Sequence, residues 1–318
     1  MKPRTRHWAQ IDEVTFVAGM RLLFLIYRYG GKWPFRVLLY PVLGWYMLTN
    51  PAARKASKTY LDQLHAFAPD APVATGLPGV LRHFAAFAES LLDKMLLWGG
   101  QLKLDDIRYI GQEAILDNIA QQRGGLLICA HLGNLELCRL AARLCPGLKM
   151  TVLVHTKHAQ AFNRLLASLD PDSQLNLMQV TEITPFTALQ LKEKVSRGEF
   201  VVIAGDRIPV SPGPRVAFAD FLGKRAPFPV GPYVLASVLE CPVYLMFSQR
   251  LPTGAEFHFE LFCEQLLLPR KNRTLLLDVM VADYAARLTH HCLRTPLQWF
   301  NFYDFWVLPD TGDHHAPH

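Results

Sequence analysis

His131 and Glu136 stand in the stretch Leu126-Leu127-Ile128-Cys129-Ala130-His131-Leu132-Gly133-Asn134-Leu135-Glu136, an H-x4-E pair where an apolar strand pattern gives way to a helical one. An imidazole with a carboxylate nearby takes a proton from a weak nucleophile near neutral pH, the carboxylate fixing the tautomer and offsetting the imidazolium charge. No serine or cysteine nucleophile belongs to this spacing, so it points to proton abstraction from a bound acceptor rather than to a covalent acyl-enzyme. The same spacing also arises where a His and a Glu merely open a helix. Gly133 permits close approach of the backbone to a substrate. Asn134 reads as a helix N-cap or, alternatively, as a substrate contact.

A second group ends another apolar run. Asp206-Arg207 closes Phe200-Val201-Val202-Ile203-Ala204-Gly205, and Pro209, Pro212, Gly213 and Pro214 break the chain just after it. An arginine at a strand end beside a loop suits an anion or a developing oxyanion. A plain surface Asp/Arg pair accounts for the same residues. Lys157, Arg164, Arg215, Lys224 and Arg225 extend a basic rim in this reading, although each alone also fits a solvated side chain.

The elements that must hold these residues alternate. Apolar runs predict strands at 125–130, 150–155, 176–180, 200–205, 242–248 and 256–263, and period-3.6 patterns predict helices near 78–98, 134–145, 158–170, 185–197, 230–240 and 273–294. Such alternation predicts an α/β fold, a mixed central sheet flanked by helices, and strand ends of such a sheet are where its chemistry collects. His131 and Asp206-Arg207 both fall at such ends. Trp299, Phe300, Phe302, Tyr303, Phe305 and Trp306 form an aromatic cluster expected to pack on the sheet or border a channel.

The amino end differs in character. Val14 to Tyr29 is apolar apart from Arg21 and Arg28, and Val37 to Ala53 carries no charge but is interrupted by Pro41 and Gly44. Neither reaches the roughly 20 uninterrupted apolar residues of a spanning helix. Arg36, Arg54, Lys55 and Lys58 beside Trp33, Tyr40, Trp45 and Tyr46 suit the headgroup boundary, so residues 1–58 read as an interfacial helical hairpin on an anionic membrane surface. The alternative is that these helices simply pack on the rest of the chain. Residues 59–308 form the catalytic domain in this division, and 309–318 a disordered tail.

Composition narrows the partners. Charged residues make up only 19% of the 318, and the net charge is +6. A surface poorer in charge than the usual quarter, with a basic balance, fits phospholipid or an acidic carrier protein. Nucleic acid is the poorest fit and is not expected as a partner, since the sequence has no zinc-finger spacing, RNP-like aromatic strand or concentrated basic arm. Six cysteines without a CxxC read as buried free thiols, and no metal or cofactor is assigned.

In order and spacing, these blocks resemble the glycerolipid and lipid A acyltransferase superfamily, in particular the late acyltransferases of bacterial lipid A synthesis. The H-x4-E stretch resembles the family's acceptor-activating motif. Gly198 to Arg207 resembles its third block, Phe221-Leu222-Gly223-Lys224-Arg225-Ala226-Pro227 its Phe-Phe-Gly loop, Cys241-Pro242-Val243-Tyr244 its proline-led strand, and Pro296-Leu297-Gln298-Trp299 its C-terminal Pro-x-Gln-x-Trp segment. The departures, His155-Thr156-Lys157-His158 in place of an arginine and an Asn-Phe-Tyr-Asp-Phe-Trp ending, are similar to a branch found with aryl polyene lipid pathways. The resemblance implies an acyltransferase at the cytoplasmic face of the bacterial inner membrane, with acyl carrier protein or acyl-CoA as donor and a lipid hydroxyl or amine as acceptor. His131 would be its base and Glu136 the support, with Asp206, Arg207, Asn134, Gly133, Lys157 and Arg164 around the substrate. A lipid hydrolase or thioesterase, or a non-catalytic lipid-binding protein, is the competing reading.

Overall fold

A computed structural model describes residues 25–27, 29–98, 107–134, 148–154, 175–180, 184–209, 214–251 and 253–308. Three helices open the described chain: α1 (Lys32–Thr49), α2 (Pro51–Phe67) and α3 (Gly76–Trp98). Strand β1 (Ile107–Ile110), helix α4 (Glu113–Ala120) and strands β2 (Gly125–Cys129), β3 (Met150–Val154) and β4 (Leu175–Gln179) follow. Next come α5 (Pro185–Ser196), β5 (Phe200–Ala204), the pair β6 (Val216–Phe221) and β7 (Lys224–Pro229), and α6 (Gly231–Leu239). The series ends with β8 (Val243–Leu251), β9 (Gly254–Cys263) and the long α7 (Arg273–Arg294).

Seven strands form the main sheet in the order β1-β9-β8-β2-β5-β3-β4. All neighbours are parallel except β8 and β9, so the sheet is mixed but mostly parallel. The central strand β2 is buried along its whole length, as expected for a strand covered on both faces. Its side chains alternate. Leu126 and Ile128 join the larger core with Val201, Ile203, Tyr284 and Leu288, whereas Leu127 and Cys129 join a smaller one with Ile115, Phe200, Val202 and Tyr244. Helix α7 forms because its apolar residues recur on one stripe. Leu277, Val281, Tyr284, Ala285, Leu288 and Cys292 are buried along it.

The expected strands are present to within a few residues at each end, and the expected helices at 78–98, 185–197, 230–240 and 273–294 appear as α3, α5, α6 and α7. Those at 134–145 and 158–170 lie outside the described residues. Residues 221–227, which resembled a loop in sequence, belong to an antiparallel hairpin over 216–229 with Phe221 paired to Lys224. Its two-residue turn puts Leu222 at φ 51 and Gly223 at φ 73, the geometry that matches the twist of the strands it joins.

The amino-terminal helices share the main core. Phe35, Leu39 and Leu43 of α1 and Tyr60, Leu61 and Leu64 of α2 belong to the same buried cluster as the sheet, and α2 runs unbroken through residue 58. Among the described residues no helix is long and apolar enough to cross a membrane.

Candidate active site

Strand register brings the two chemical groups together. Cys129 of β2 pairs with Ala204 of β5, and both strands end there, so His131 and Asp206 each stand two residues beyond the last pair, on adjacent parallel strands. Gly205 N–H donates to the Cys129 carbonyl at 2.8 Å and keeps the two exits in step. These ends lie at the centre of the sheet, where the chain leaves β2 for β3 on one side and later adds β8 on the other, the crevice in which open sheets bind ligands.

His131 Nδ1 lies 2.8 Å from Asp206 Oδ1. The other carboxylate oxygen, Oδ2, accepts from the His131 main-chain N–H at 2.8 Å, the Trp299 indole N–H at 2.9 Å and the Asn301 amide at 3.0 Å. Asp206 is fully buried. Burial alone would push its carboxyl up, but the imidazole with its hydrogen bonds and the Arg207 guanidinium outweigh that and hold it below its ordinary value. An ionised carboxylate only accepts, so Nδ1 carries the proton and Nε2 of the neutral ring carries the lone pair. The imidazole side chain is 26% exposed, within reach of a molecule arriving from outside.

Arg207 turns toward the carboxyl-terminal segment. Its Nε donates to Asn301 Oδ1 at 2.8 Å and one terminal nitrogen to the Phe300 carbonyl at 2.9 Å. Tyr303 donates its hydroxyl to the Asp206 carbonyl at 3.2 Å. The same segment clasps the His131 loop through its backbone: Gly133 N–H donates to the Gln298 carbonyl at 2.8 Å, and Phe300 N–H to the His131 carbonyl at 2.7 Å. Gly133 has φ 64, and a Cβ there would lie 2.2 Å from the Ser248 carbonyl oxygen, so this turn requires glycine. Asn134 is buried, its main chain bonded in both directions to the Ser248 hydroxyl at 3.2 and 3.1 Å.

Behind the clasp stands a buried histidine. His83 of α3 donates from Nε2 to the Trp299 carbonyl at 3.0 Å and accepts at Nδ1 from the Ser57 hydroxyl of α2 at 2.9 Å. Burial lowers its pKa to about 4, with the Trp299 carbonyl opposing, so it stays neutral at ordinary pH. Tyr60 packs on Trp299 with ring centroids 4.9 Å apart and donates its hydroxyl to the Pro296 carbonyl at 2.9 Å. Phe221 and Phe305 close the pocket around the indole at 5.0 and 4.8 Å.

Of the residues the sequence nominated, His131, Gly133, Asn134, Asp206 and Arg207 gather at these strand ends. Asp206 uses both oxygens inward, so it reaches any substrate only through the imidazole. Glu136, Lys157 and Arg164 lie outside the described residues. Sequence reasoning placed Trp299 in a cluster that packs on the sheet or borders a channel, not on a carboxylate, and did not single out Asn301 or His83. A signal was present for one of them: Asn301 is an amide, donor and acceptor together, inside an otherwise aromatic run. Cys129, Cys241, Cys263 and Cys292 are free thiols. Among the described residues no group of three or more His, Cys, Asp or Glu side chains is placed to hold a metal ion.

Comparison with known proteins bears on the whole of this region. No curated protein matches the chain. The model of a protein family, however, matches residues 91–306, a span that includes β2, β5 and the carboxyl-terminal clasp. The chain therefore belongs to the bacterial lipid A biosynthesis acyltransferase family.

Proposed function

We propose that this protein is a membrane-associated acyltransferase that moves a fatty acyl group from an acyl thioester, on acyl carrier protein or coenzyme A, to a lipid hydroxyl or amine. The observation that carries this reading is the hydrogen bond from His131 Nδ1 to the buried, ionised Asp206, in a chain whose family performs acyl transfer. In the proposed reaction His131 Nε2 takes the acceptor's proton as its oxygen or nitrogen attacks the thioester carbonyl. The tetrahedral intermediate then collapses, the carbon–sulfur bond breaks, and the imidazolium returns the proton to the departing thiolate. Main-chain amides or Arg207 stabilise the oxyanion. In this proposal Glu136, on the H-x4-E spacing, supports the imidazolium, and Gly133, Asn134, Lys157 and Arg164 are assigned to the substrate.

Membrane association rests on α1. While Phe35, Leu39 and Leu43 face the core, Trp33, Val37, Leu38, Val42, Trp45 and Leu48 are exposed, and Arg36, Arg54, Lys55 and Lys58 lie on or just beyond this helix. An outward apolar stripe flanked by cations suits the interface of an anionic leaflet. We place the protein at the cytoplasmic face of the bacterial inner membrane, where soluble thioester donors meet lipid acceptors.

The test incubates the full-length protein with acyl carrier protein or coenzyme A thioesters and bacterial lipid extract, followed by mass spectrometry. An acylated lipid is expected, and His131→Gln is expected to lower its formation on the order of 10³-fold. Full activity in the variant would remove the assigned base. Free fatty acid as the sole product would make the protein a hydrolase, and tight lipid binding with no turnover of either thioester would make it a lipid-binding protein.

A further inference from the structure

Asp206 has an imidazole, that of His131, and a guanidinium, that of Arg207, for neighbours. A guanidinium and a carboxylate pair bidentately when they can, and that pair is stronger than a single bond from an imidazole. Arg207 follows Asp206 directly in the chain and lies close enough for its charge to lower the carboxyl's pKa. Yet Arg207 donates to Asn301 Oδ1 and the Phe300 carbonyl, and the carboxylate accepts from His131, Trp299 and Asn301. The Asn301 side chain lies between the two. Its orientation follows from the chemistry, because Arg207 Nε only donates and must meet the amide oxygen, which turns the NH2 group to Asp206 Oδ2.

From this arrangement we propose that Asn301 is a positioning residue of the acyl-transfer pair, holding Arg207 off Asp206 so that Oδ1 remains committed to His131. The proposal rests on the reading of His131 and Asp206 given above. Three N–H donors on Oδ2, one of them the Asn301 amide, keep the carboxylate from rotating, and the imidazole receives the other oxygen. Asn301 is itself almost fully buried at 1% exposure, so water does not substitute for it freely.

Two substitutions have opposite expected effects. In Asn301→Leu the spacer is gone, Arg207 captures Asp206, and the imidazolium loses its support. His131 is then expected to hold its proton about tenfold less tightly. In Asn301→Asp the bond to Arg207 survives, but a second carboxylate faces Oδ2, so His131 holds its proton about tenfold more tightly. Other titratable groups near Asp206, namely Cys129, Tyr284, Cys292 and Tyr303, have pKa values raised by burial and stay neutral throughout, while Arg207 stays charged. A pH response near neutrality therefore reports His131, or the new carboxyl in the aspartate variant.

The measurement is the proton affinity of His131, read by NMR of 15N-histidine-labelled full-length protein with His131→Gln for assignment, beside the pH profile of kcat/KM for acyl transfer. Opposite displacements of the His131 titration in the two variants, with kcat reduced about tenfold or more and KM little changed, support the proposal. Displacements of the same sign, or none, overturn it, because a residue that only packs would not discriminate leucine from aspartate in this way. The NMR titration needs no turnover, so it stands even if the protein proves to catalyse another reaction. Should either variant fail to fold, the wild-type protein supplies the test. The Asn301 amide and Trp299 indole protons share the carboxylate with the imidazole and are expected to shift along the His131 titration, and resonances indifferent to it would overturn the assignment.

Discussion

At Asp206 the three donors on Oδ2 make a sharp demand. In Asp206→Asn the amide oxygen must turn to those donors, which leaves the NH2 group facing His131 Nδ1 and forces the proton onto Nε2. The variant is therefore expected to fold while kcat drops on the order of 10³- to 10⁴-fold, as when a catalytic histidine is held in the wrong tautomer. Steady-state kinetics beside a denaturation curve checks both halves. His83 gives a prediction of another kind. Its folded pKa of about 4 lies below the ordinary 6.5, so the unfolded chain binds the extra proton between those values. Stability contributed by neutral His83 is complete above pH 6.5 and is lost as the pH falls toward 4, by roughly 3 kcal/mol over the window. In His83→Gln that loss should be absent, so urea denaturation of the two proteins should converge toward acid, and parallel curves would refute this account. His131 and Asp206-Arg207 were each legible in sequence as polar groups at strand ends. Their pairing was not, because it joins residues 75 apart through a register that no local pattern encodes.

Among the elements, the turn at Gly133 is exacting. Gly133→Ala must place a methyl 2.2 Å from the Ser248 carbonyl oxygen at a positive φ, so β8 or the His131 loop has to move. A loss of about 3 kcal/mol in denaturant stability is expected, together with a fall in kcat, because the same loop is bonded to Gln298 and Phe300. Wild-type stability in this variant would mean that the turn is less constrained than its geometry indicates. Long amphipathic helices were easy to read, as the agreement of the expected 273–294 with α7 illustrates. Strand β1 was missed because four residues alternating in burial at a sheet edge leave almost no periodic signal. Strands β6 and β7 escaped for a different reason. Phe221 to Pro227 resembled a loop, but this two-stranded ribbon has edges on both sides, and an edge tolerates the prolines Pro227 and Pro229 of β7.

On the scale of the molecule, one helical layer meets two demands. Helix α1 buries one stripe in the core and turns another outward, and α2 and α3, packed against it, carry Tyr60 and His83 to the clasp around Trp299. Replacing both Trp33 and Trp45 with glutamate removes exposed apolar surface and opposes an anionic leaflet. Binding to vesicles containing phosphatidylglycerol is expected to fall tenfold or more in flotation assays while the melting temperature stays unchanged. Equal binding by the double variant would locate the membrane contact elsewhere. The apolar character of this layer was plain in sequence, but its two-sidedness was not, since composition does not say which stripe the core claims. The clasp at 298–301 also bears on how the protein can be lost. A premature stop or a protease cut just after α7 leaves both His131 and Asp206 in the chain but removes the groups that grip them, so an allele truncated there should behave genetically as a null.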